Sequence, residues 1–152
     1  MNPEAYFLRY ARPCADFMHQ RKEITGKDLK KLDLMLEEKI KPDKAFIERI
    51  FYKAINPLKK LSDDYWNINV IRKYFQKEHN LLIDSESEGF EHLTGIQKEL
   101  CRVWEGVIIG VAKDYYEVNY NGNNSKILKG FVKDAKIGDA VFIHYAMAIE
   151  KK

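Results

Sequence analysis

At Leu100 the apolar residues of this chain stop recurring at helical spacing and begin to alternate. No all-α or all-β fold accommodates both patterns. The chain is therefore predicted to be α+β. A helical bundle of about four helices is expected over residues 1–88, then a connector over 89–99. A small OB-like β-barrel is expected over 100–152.

The first part reads as helices with short connections. Pro3 and Glu4 suit a first turn, with Tyr6, Phe7 and Tyr10 following at helical spacing. Pro13 is expected to break or restart that helix. Thr25, three residues before Asp28, reads as an N-cap to the stripe Leu29, Leu32, Met35 and Leu36. Pro42-Asp43 opens a third helix bearing Phe46, Ile47, Ile50 and Phe51, which Pro57 is expected to end. A fourth is expected near Ile68–Asn80, with Val70, Ile71, Tyr74 and Phe75 inward. The polar run Asp84–Gly89 is the linker candidate. Residues 90–99 fit either a short helix or a wrapped connector.

The second part reads as short strands. Val103–Val111 is interrupted by Gly106 and Gly110, each suited to a bulge or bend. Tyr116, Val118 and Tyr120 alternate with Tyr115, Glu117 and Asn119. Asn121-Gly122 signals a hairpin, Ser125–Val132 returns, and Lys136–Asp139 turns again. After that turn the chain reads as one long last strand, with Val141, Ile143 and Tyr145 on one face and His144 within it. Closing such strands into a barrel removes exposed edges.

Composition narrows the function classes. The net charge of +3 makes no strong field for nucleic acid or anionic membrane. Two cysteines, Cys14 and Cys101, build no disulfide framework. With no leader-like start and no membrane-length apolar run, a cytoplasmic protein is expected. There is no glycine-rich phosphate loop, no nucleophile elbow and no paired-carboxylate motif, so a non-enzymatic role is expected.

Cys101 before the first strand and His144 in the last are the one pair with chemical meaning. Taken alone, Cys101 fits a small buried core residue equally well. His144 fits an exposed or partly covered strand histidine. Cys14 and His19 lie near one helical face, but two ligands make no zinc site. His79 reads as the charged end of the fourth helix. Trp104, Tyr115 and Tyr116 are candidate stacking platforms for single-stranded nucleic acid, although aromatics at such positions more often pack across strands.

Residues 100–150 resemble the HypC/HupF family of hydrogenase maturation chaperones. The residues that carry the resemblance are Leu100-Cys101 with Gly106-Val107-Ile108, then Gly138-Asp139-Ala140-Val141, His144, Ala148 and Ile149. Gly-Asp-x-Val alone is common in small barrels. The cysteine and the histidine at matching positions are more specific. Three features depart from the family: Glu105 stands for its proline, Ala146 for its glycine, and Cys101 is internal rather than at the chain start.

The resemblance implies a carrier and adaptor with no permanent cofactor. It implies a partner of the HypD type or a hydrogenase large subunit, and iron held transiently through that partner. Cys101 would be the key contact and His144 a second. Thiolate and imidazole are suitable iron ligands, and the partner would complete the set. The alternative is an OB-like nucleic-acid or ribosome-associated module, using the tyrosines with Lys113, Lys126 and Lys129. The near-balance of charge in the barrel weakens that alternative.

Overall fold

A computed structural model describes all residues, 1–152. The chain is α+β, with helices first and a closed five-stranded barrel last. It forms two compact units, Met1–His92 and Leu93–Lys152. The polar run Asp84–Gly89, expected as a linker, lies inside the first unit. The stretch expected as a connector is shared: Phe90 is buried in the first unit, and a helix of the second begins at Gly95. No helix is long and apolar enough to cross a membrane.

The first unit opens with α1 (Pro3–Gln20), capped by Asn2, whose side chain accepts from the Ala5 N–H at 2.7 Å. α1 runs straight through Pro13, against expectation. A proline inside a helix loses one hydrogen bond, and here its ring is buried with the core face of α1. α2 (Gly26–Leu36) starts at Thr25 as expected. Thr25 and Asp28 form a reciprocal capping box, at 3.1 and 2.9 Å. Arg12 ties α1 to α2 by donating to Asp33 at 2.6 Å and also reaching Asp16.

α3 (Lys44–Ile50) is capped by Asp43. It ends at Phe51, earlier than expected, and α4 (Tyr52–Leu61) carries Pro57 in its interior, again with the ring buried. α5 (Ile68–Lys73), a π-helical turn (Tyr74–Glu78) and α6 (His79–Asp84) follow without a break. His79 therefore lies within a helical run, not at its end. It is buried against the rings of Tyr74, Phe75 and Phe90. The core of this unit is aromatic. Phe7 meets Phe51, Trp66 and Phe75 at 5.4–5.8 Å, and Tyr10 stacks on Phe75 at 4.8 Å.

The second unit begins with α7 (Gly95–Cys101), then β1 (Trp104–Val111), β2 (Tyr115–Tyr120), β3 (Asn123–Leu128), β4 (Ala140–His144) and β5 (Met147–Lys151). The strand order around the barrel is β1-β2-β3-β5-β4, closing back on β1. All neighbours are antiparallel except β3 and β5, which meet in parallel at Leu128 and Met147. Ile108, Tyr116, Val118, Ile127, Val141 and Ile143 fill the interior.

The two β1 glycines differ in their reasons. Gly110 follows a register shift after Ile108, a bulge as expected. Gly106 instead faces the packed interior, where an added Cβ would come within 2.6 Å of Val118 Cγ1. Asn121 and Gly122 both take positive φ, 50° and 73°, and make a two-residue turn, so Asn123 and Asn124 belong to β3. β3 also stops at Leu128, short of the expected Val132.

Candidate functional site

The long last strand expected after the Lys136–Asp139 turn is two strands. β4 ends at His144, β5 starts at Met147, and Tyr145-Ala146 is the turn between them. Both turn residues are left-handed, with φ of 49° and 57°. A two-residue hairpin turn needs this geometry, and asparagine or glycine normally supplies it. For residues with a Cβ it costs roughly 1–2 kcal/mol each.

α7 brings Cys101 to this corner. Thr94 and Gln97 form a capping box, with bonds of 2.8 and 3.2 Å, which fixes where the helix starts. Seven residues later it ends at Cys101, so the cysteine closes a helix rather than opening β1. The last carbonyls of a helix lack partners within it. The corner supplies two. The Tyr145 N–H donates to the Leu100 carbonyl at 3.0 Å, and His144 Nε2 lies 2.8 Å from the Cys101 carbonyl. A carbonyl can only accept, so Nε2 carries a proton and is the donor.

The structure thus brings the two predicted residues together. Cys101 Sγ and a ring nitrogen of His144 lie within 4.8 Å. His144 is not the exposed or partly covered strand histidine expected from alternation. It is 2% exposed, and its Nε2 meets the last carbonyl of α7. Cys101 is 5% exposed. A thiol beside an imidazole offers one soft and one borderline ligand, which suits a thiophilic metal but leaves most of a coordination shell to be supplied. Leu100, Tyr145 and Ala146 were not candidates, although they set the geometry. One signal was available: a single strand from the Lys136–Asp139 turn to Ile149 would be longer than most strands.

The stacking candidates are divided. Tyr116 is fully buried and shows no face to a base. Its hydroxyl donates to the Val132 carbonyl at 2.9 Å and accepts from the Ala135 N–H at 3.2 Å. Trp104 is half-buried, packs 5.8 Å from Tyr120, and donates its indole N–H to the Glu99 carbonyl. Tyr115 is half-buried with Lys126 Nζ 5.0 Å from its ring centre. Away from the corner, Cys14 is half-buried and His19 exposed on α1. Compared with known proteins, the chain matches no protein-family model and no curated protein.

Proposed function

We propose that the barrel is a non-enzymatic adaptor of the HypC/HupF kind. In this reading Cys101, with His144 beside it, contacts a partner of the HypD type or a hydrogenase large subunit. It shares in holding the partner's iron as cargo. The observation that carries the reading is the pairing of Cys101 Sγ and a His144 ring nitrogen within 4.8 Å on an OB-like barrel. A thiolate is the stronger iron ligand of the two, so Cys101 is the primary contact and His144 the secondary one. A reducing compartment such as the cytoplasm keeps that thiol available.

Anaerobic co-purification from source cells tests this, with the wild type beside Cys101→Ala. The expected result is a HypD-type or hydrogenase protein that co-purifies with iron and is lost in the variant, while the barrel stays folded. A complex that survives Cys101→Ala with its iron intact overturns the reading.

The strand order and the Lys126–Tyr115 contact favour one second reading, a nucleic-acid module. That reading requires binding to single strands that weakens steeply with salt and ignores Cys101→Ala.

A further inference from the structure

The corner that caps α7 is held in a backbone conformation its own residues resist. Tyr145 and Ala146 both sit at positive φ, and neither is glycine or asparagine. Three bonds keep them there. The Tyr145 N–H reaches Leu100, His144 Nε2–H reaches Cys101, and the Leu128 N–H donates to the Ala146 carbonyl at 2.9 Å. Two of the three end on the last turn of α7. That helix has only seven residues, so its final turn depends on outside partners more than on its own ladder.

We propose that the β4–β5 corner is a latch on the Cys101 thiol. While the turn holds its left-handed form, the last carbonyls of α7 stay capped and Cys101 stays covered. When the turn relaxes, the caps at Leu100 and Cys101 are withdrawn together and the last turn of α7 frays. The thiol then becomes reactive while the barrel remains closed. The backbone strain favours this opening and the three hydrogen bonds oppose it, so the closed state is a balance that one substitution shifts. The latch rests on the adaptor reading for its purpose, since a buried thiol must be uncovered before any partner can use it. Its geometry is independent of that reading.

The test is site-resolved labelling of Cys101 in the whole chain with N-ethylmaleimide, read by peptide mass spectrometry. Hydrogen exchange at the Ile108 and Val118 amides reports opening of the whole barrel. In the wild type, Cys101 should label through openings more frequent than those of the core amides. Ala146→Gly, which tolerates positive φ, should slow labelling about tenfold. His144→Phe, which removes one cap, should speed it about tenfold. The core amides should shift less than the labelling rate in both variants. Labelling that merely follows core-amide opening overturns the latch, as does an Ala146→Gly chain that labels as fast as wild type. If His144→Phe does not fold, Ala146→Gly alone decides. Failure of the adaptor reading would show instead as a partner complex indifferent to Cys101→Ala, and would leave these rates unchanged.

Discussion

Single side chains at the corner have measurable structural roles as well as chemical ones. His144 donates to the Cys101 carbonyl from a buried position, so His144→Ala should cost about 1–3 kcal/mol in urea denaturation of the whole chain. An unchanged midpoint would mean that the bond contributes nothing. Tyr116→Phe removes a hydroxyl that serves two backbone groups of the 129–139 connection, and should cost a similar ~1–3 kcal/mol. Cys101 and His144 were legible as a pair because their positions relative to the strands are written in the sequence. Their burial was not, because alternation along β4 predicts only which side His144 faces. On that side His144 meets the end of α7, and residues 90–99 fitted a helix and a connector equally well.

Elements follow the strongest local signals where those signals have no competitor. The Thr25 and Asp43 caps and the Asn121-Gly122 turn all lie where side-chain chemistry puts them. Pro13 and Pro57 mislead because burying each ring in the core competes with the lost helical bond. The Tyr145-Ala146 turn was invisible because it lacks turn residues and is set instead by α7 and β3. Barrel closure supplies a sharp test of the β3–β5 junction. Gly130 has φ of 51°, and a Cβ there would clash with Met147 Cγ and lie 2.6 Å from the Ala148 carbonyl oxygen. Gly130→Ala should therefore cost about 2–4 kcal/mol, read by urea denaturation. A neutral effect would contradict the tight junction.

In the helical unit, Glu48 anchors the α4–α5 connection by accepting from Tyr65 at 2.7 Å, Lys59 at 3.0 Å and Trp66 at 3.1 Å. Burial pushes its carboxyl up, but the bonds from Tyr65, Lys59 and Trp66 outweigh that and hold it below the usual 4.5. A depressed folded-state value contributes stability that is present above 4.5 and lost as pH falls through the lower folded value. Glu48→Gln should flatten that part of the acid slope in denaturation followed across pH. An identical slope would remove Glu48 as a source.

At the scale of the whole molecule, the order of helices then barrel was legible from one change of period at Leu100, because helix and strand impose different spacings on buried residues. The strand order was not, since alternation says nothing of which strands become neighbours. The resemblance to the HypC/HupF family concerns the second unit alone and adds nothing about the role of the first. We propose that Cys101 is a ligand to partner-held iron. The most direct measurement is iron K-edge X-ray absorption on the anaerobically isolated complex, with wild type beside Cys101→Ser. One iron–sulfur contribution present in the wild type should be lost in the variant. An unchanged sulfur shell in a fully iron-loaded variant complex would contradict it.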